Sequence, residues 1–413
     1  MPDARTSPLP IRGRVGRGWF FLVVSLLVAT QIGVVSESAA DESPISESAA
    51  VERLLTADRI DPEWFDPAFL AQIPLARIEA IVSSLHQQFG AFATVEIERG
   101  EGTLRLARAE MPISAALNAQ GQFIGLFFGV PTLTGADPIA LITQLAALAD
   151  DVSAFVRRGD AVLAERDADR PLAVGSAFKL AILKAYEAGI AAGDLTRDRV
   201  VALRPAWRSI PSGMLQDWPA GAPVTLETLA VLMIAISDNT ATDAMIDILG
   251  RDAVEAVSAR NRPFLTTREA ALIKTDALPD LRRRYANGDV AARRRLLADL
   301  AGHDLGETKD FGTTPTVEIE WFFTARELCD LIDDLFAAPA VAINSGPVDA
   351  GDWSRVAYKG GSELGVLNFT AAAERADGKR VCAAVTLNAD RAIDEQRAAV
   401  LFASLFKTLQ STD

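Results

Sequence analysis

Ser176 and Lys179 stand three positions apart at the opening of a helix-forming segment that runs from Lys179 to Gly193. On a helix such positions share a face, which brings the lysine amine within about one turn of the serine hydroxyl. A serine hydroxyl is a weak nucleophile until a neighbour takes its proton, and a lysine can do this only if burial or nearby positive charge lowers its own pKa. Ser176 would also sit at the positive end of the helix, where negative charge forming on an oxygen is favoured. Taken alone, the pair reads as an ordinary helix start with a solvated lysine rather than as a nucleophile and its base.

Two further groups change that balance. Ser237, Asp238 and Asn239 interrupt the apolar run from Met233 to Ile236. There Ser237 can relay a proton to a leaving group and Asn239 can hold a substrate amide, while Ser and Asp are also the residues expected to cap a following helix. Lys359, Gly360, Gly361 and Ser362 end a strand-like run. Lys359 offers a positive charge to a substrate carboxylate, the glycines permit close backbone approach, and the Ser362 amide can pair with that of Ser176 as an oxyanion hole. The chain has two histidines, His86 and His303, neither beside a nucleophile motif, so a serine nucleophile here would need a base other than histidine.

The elements that must position these residues follow from the patterning. Arg12, Arg14 and Arg17 precede an apolar run from Trp19 to Val35 and a small-residue exit at Ser38, Ala39 and Ala40, the parts of a secretory signal or uncleaved anchor over 1–40. A polar spacer is expected at 41–52, then a small α+β domain over 53–132. In that domain helical spacing from Pro67 to Phe89 gives way to four short strands with period two. From 138 to 413 the pattern reads helix, two strands, a long helical stretch, three strands and a closing helix. The expected fold is α+β: an antiparallel five-stranded sheet with covering helices, an all-helical subdomain, and a cleft between the two.

Composition narrows the partners. A formal charge of −14 disfavours a nucleic-acid backbone, and the clusters Arg282 to Arg284 and Arg293 to Arg295 read as solvated helix faces. Cys329 and Cys382 lie in apolar runs and are expected to be buried free thiols. Two cysteines and two histidines, nowhere near ligand spacing, suggest no zinc site, and no other metal or cofactor is expected.

Ser176 with Lys179, Ser237 to Asn239, and Lys359 to Gly361 resemble the three signature elements of class A β-lactamases and penicillin-binding proteins. The strings 171–179, 236–243 and 263–269 look closer still to a branch that includes the β-lactamase-like cephalosporin esterase encoded in the clavulanic acid gene cluster. The resemblance implies a covalent acyl-enzyme on Ser176 and a small-molecule acyl substrate: a β-lactam, an ester or a D-alanyl peptide. It also implies a small N-terminal domain likened to steroid isomerases. The chain departs from the family at two places. The segment that would hold the deacylating water reads Glu269, Leu272, Ile273, with Ile in place of Asn, which leaves Glu269 as a deacylation candidate or as a capping residue in the first turn of a helix. Gly360 replaces the usual threonine. Esterase or weak β-lactamase activity is therefore expected, the alternatives being a D-Ala-D-Ala peptidase or a slowly acylating binding protein of the cell envelope. Trp207 and Leu215 are read as acyl-pocket or loop-anchoring residues.

Overall fold

The computed structural model describes residues 45–275, 278–300, 303, 305 and 315–410. The signal or anchor expected over 1–40 lies outside them. Among the described residues no helix is long and apolar enough to cross a membrane.

The expected spacer is corrected by a helix, α1 (Glu47–Thr56), whose N-terminus is capped by the Ser46 hydroxyl. Its polar residues face water, while Ala50, Val51, Leu54 and Leu55 are buried at helical spacing against the first sheet. The long helical pattern after Pro67 is two helices, α2 (Pro67–Gln72) and α3 (Leu75–Phe89). Pro74 separates them because a proline has no amide to continue a helix. The strands β1 (Phe92–Glu98), β2 (Glu101–Leu106), β3 (Ala109–Leu117) and β4 (Phe123–Phe128) form a meander, and β5 (Thr132–Leu133) adds to β3.

The second module begins with α4 (Pro138–Ala146), followed by β6 (Asp151–Arg158), β7 (Ala161–Arg166) and the short β8 (Leu172–Ala173). Next come α5 (Lys179–Ala192), the ribbon of β9 (Val200–Ala202) and β10 (Pro223–Thr225), and the helices α6 (Leu226–Ala235), α7 (Asn239–Leu249), α8 (Arg251–Val257) and α9 (Thr267–Lys274). Helices α10 (Pro279–Asn287) and α11 (Val290–Leu300) carry the arginine clusters. The chain then forms β11 (Phe322–Phe323), α12 (Ala325–Asp334), β12 (Arg355–Glu363), β13 (Val366–Glu374), β14 (Arg380–Asn388) and α13 (Glu395–Thr408).

The large sheet is antiparallel, in the order β12-β13-β14-β6-β7. Both its faces are covered, so β13 and β14 are buried at nearly every position. On one face α4 and α13 pack on Phe369, Val385 and Leu387. On the other, α5, α12 and the helical subdomain build a core around Phe178, Tyr186, Leu229 and Phe264. Strand β12 is an edge, and the residues that could do chemistry meet along it.

Cys329 and Cys382 are not free thiols but a disulfide joining α12 to β14, with Cα atoms 5.9 Å apart. Each lies in an apolar run because each faces the same core, and that shared facing is what brings the two sulfurs together.

Candidate active site

Ser176 lies in a 3-10 turn (Gly175–Phe178) that leads directly into α5. The turn is held from both ends. The Asn388 side chain bonds both backbone groups of Ala173 (3.0 and 2.9 Å), and Val174 N donates to Trp321 O (3.1 Å), continuing the β8–β11 pairing. Phe178 stacks on Trp321 with ring centroids 3.6 Å apart. Gly175 has φ +50°, a conformation that glycine adopts without strain.

Lys179 opens α5 and is fully buried. Its amine donates to Ser237 O (2.7 Å), Ser237 Oγ (3.0 Å) and Asn239 Oδ1 (2.8 Å). Burial, with no carboxylate among the described residues paired directly to the amine, lowers its pKa to about 7, against the raising influence of the Asp238 and Asp243 charges. The structure thus brings Lys179 to the Ser237 to Asn239 turn. The amine is not hydrogen-bonded to the Ser176 hydroxyl, which is partly accessible one turn away.

Ser237 sits between α6 and α7 with φ +57°, an uncommon backbone conformation for a residue with a side chain. The surrounding bonds impose it. Asp238 caps α7 through Ala241 N (2.8 Å), and its other oxygen accepts from Met214 N (2.7 Å) and Leu215 N (2.9 Å). Ser212 Oγ donates to Ser237 O (2.9 Å), and Asn239 Nδ2 donates to Ile210 O (3.2 Å). The loop through Trp207 and Leu215 is therefore bound to this turn. Trp207 is buried with its indole N–H on Asp247 (2.9 Å), and Leu215 is buried, so both anchor the loop rather than line a pocket.

Lys359 is buried on β12, with Nζ 3.2 Å from Ser237 Oγ and 2.6 Å from Gly360 O. Burial, and then the neighbouring Lys179 charge, push its pKa well below the usual lysine range. One hydroxyl is thus shared by two lysines. It can accept from both and still donate its own proton outward. On the same face of the strand, Gly361 lies against the Ser176 turn, where a side chain would collide with Val174 O and Ser176 N. Ser362 N is 3.2 Å from where a Gly175 side chain would begin. The backbone amides of Ser176 and Ser362 are thereby brought to one place.

Glu269 is not presented as a base. Both its oxygens bond Arg251 (2.7 and 3.0 Å), and it closes a capping box with Thr266 at the start of α9. Sequence reasoning missed two other acidic sites. Buried Asp243 accepts from Thr267 N and Oγ1 (both 2.7 Å) and Arg268 N (2.9 Å), tying α7 to the start of α9, and burial raises its pKa to about 6. Glu320 and Glu363 meet at Lys274.

Residues 142–308 match the model of the beta-lactamase enzyme family. The match is to this wide family rather than to the narrower branch suggested by the longer strings. No curated protein matches the chain. Among solved structures, a beta-lactamase from Sphaerobacter thermophilus is 22% identical, with 66% of this chain and 97% of that one covered and a TM-score of 0.47. A class A beta-lactamase from Bacteroides cellulosilyticus is 17% identical, covering 67% and 98%, with a TM-score of 0.43. The protein PBP-A is 17% identical, covering 65% and 96%, with a TM-score of 0.40.

Proposed function

We propose that the chain is an exported serine acyl-hydrolase that works through a covalent acyl-Ser176. The observation that carries this reading is the Ser237 hydroxyl bonded by both Lys179 and Lys359, beside a close approach of strand β12 to the Ser176 turn that only glycine at 361 permits. The match of residues 142–308 to the beta-lactamase enzyme family supports it.

In the mechanism, neutral Lys179 takes the Ser176 proton as Oγ attacks a substrate carbonyl carbon. The amides of Ser176 and Ser362 receive the developing oxyanion. The proton then passes from Lys179 through Ser237 to the leaving group, and water releases the acyl group. Lys359 attracts a substrate carboxylate, whose arrival restores the ammonium form that burial disfavours, and Asn239 orients the substrate amide.

A β-lactam, an activated ester and a D-alanyl peptide all present a carbonyl of this kind. The Ile273 and Gly360 departures favour an ester or slow β-lactam turnover over efficient β-lactamase activity. Export is supported by the basic and apolar pattern of residues 12–40 and by the Cys329–Cys382 disulfide, a bond that persists in oxidising compartments. The test is labelling with a fluorescent penicillin and an ester probe. Labelling of the wild type and none of Ser176→Ala is expected, and equal labelling of both overturns the assignment. Hydrolysis rates on a chromogenic cephalosporin, an aryl ester and a D-alanyl-D-alanine peptide then select the substrate class.

A further inference from the structure

The mechanism above leaves unassigned the group that activates water against acyl-Ser176, since the Glu269 carboxylate is held by Arg251 and Thr266. On β12, Lys359, Gly361 and Glu363 alternate onto one face, the face that meets the Ser176 turn. Gly361 touches the backbone of Ser176. Lys359 lies one step to one side and reaches Ser237, and Glu363 lies one step to the other, each step roughly 7 Å along the strand.

Glu363 is fixed by Lys274 (Nζ to Oε1 2.5 Å), which also ion-pairs with Glu320. Glu320 comes from the segment beside the turn. Phe322 pairs with Ala173, and Trp321, the residue after Glu320, receives Val174 N on its carbonyl, so Glu320 adjoins the chain that leads into the Ser176 turn. Its side chain is completely buried, and among the described residues its second oxygen, Oε2, has no hydrogen-bond partner. Glu363 keeps about a third of its side-chain exposure, 34%, and so is the member of the cluster that water can reach.

Lys274 holds both carboxyl groups, and the like charge between them disfavours ionising the buried one. Burial, and then the Glu363 charge, raise Glu320 to about 8. Glu320 is thereby biased toward its neutral form.

We propose that Glu363 is the base that activates the deacylating water, with Glu320 and Lys274 as the positioning residues that fix its place on the strand. This rests on the acyl-enzyme reading. The water oxygen bonds to the acyl carbon as Glu363 takes its proton. On collapse the bond from carbon to Ser176 Oγ breaks and the proton returns to that oxygen, leaving the free acid and the original carboxylate.

The test is stopped-flow hydrolysis of p-nitrophenyl acetate, with intact-protein mass measured through the reaction, on full-length wild type, Glu363→Gln and Glu320→Gln. Both variants should keep a burst of nitrophenolate equal to one per active site while steady release falls by about 10²-fold or more and the acetyl adduct accumulates. Because Glu320→Gln alters a buried cluster, the partly exposed Glu363→Gln decides the outcome if the first unfolds. Unchanged steady release in Glu363→Gln, or burst and steady rates lowered alike, overturns the proposal while leaving acylation at Ser176 standing. Absence of both nitrophenolate release and adduct in the wild type, with no adduct in either variant, overturns both.

Discussion

At the residue scale, the site is a set of charges that the fold has taken out of water. Lys179 is the clearest case. An amine buried to a pKa of about 7 is largely protonated, and inactive as a base, below that pH and neutral above it. The acylation rate should therefore rise with pH through about 7 and level off above it, a profile measurable by the burst rate with an aryl ester. Removing the shared hydroxyl is a second test at this scale. Ser237→Ala should slow acylation by about 10²-fold, the usual contribution of a positioned proton carrier, without removing the adduct site. The residues behind these predictions were readable in the sequence because Ser176 and Lys179, Ser237 to Asn239, and Lys359 to Ser362 are each contiguous or one turn apart. The Lys274, Glu320 and Glu363 cluster was not. Its members are separated by 46 and 89 residues from the lysine that joins them, and no local pattern records a contact made only on folding.

At the element scale, capping and side-chain hydrogen bonds locate the helices that carry the site. Glu269 shows how one residue type serves either role: three positions after Thr266 it fits a capping box, and the Arg251 pair uses its remaining capacity. Glu269→Gln is expected to destabilise the fold by about 1–3 kcal/mol, the cost of losing a charged hydrogen-bonded partner. Acylation and product release should stay close to the wild type, as comparison of thermal unfolding with steady-state kinetics would show. The acidic residues near 47 looked like a spacer because their charges dominate the composition, but the buried positions Ala50, Val51, Leu54 and Leu55 recur at helical spacing and place a helix there. Likewise the helical pattern after Pro67 is legible in the sequence, whereas its break at Pro74 is not, because apolar residues keep their helical spacing on both sides of it.

At the scale of the whole molecule, a covered antiparallel sheet supplies an edge strand, and a helical subdomain brings its turns against that edge. That architecture was legible because strand and helix periods alternate in long blocks. The disulfide was not, since an apolar surrounding suits a buried thiol and a buried bridge equally. Cys329 and Cys382 close a loop with a sequence separation of 53, so breaking the bridge should cost roughly 4 kcal/mol on a chain-entropy estimate and lower the unfolding midpoint. Thermal unfolding with and without reductant, alongside a Cys329→Ala, Cys382→Ala double variant, measures it. On the proposed reading all of this structure serves a single nucleophile, and the most direct test of that proposal is peptide mapping by mass spectrometry after exposure to a penicillin or an aryl ester. The account predicts one acyl adduct, on Ser176, absent from Ser176→Ala. An adduct on any other residue, or the same adduct yield in the alanine variant, would contradict it.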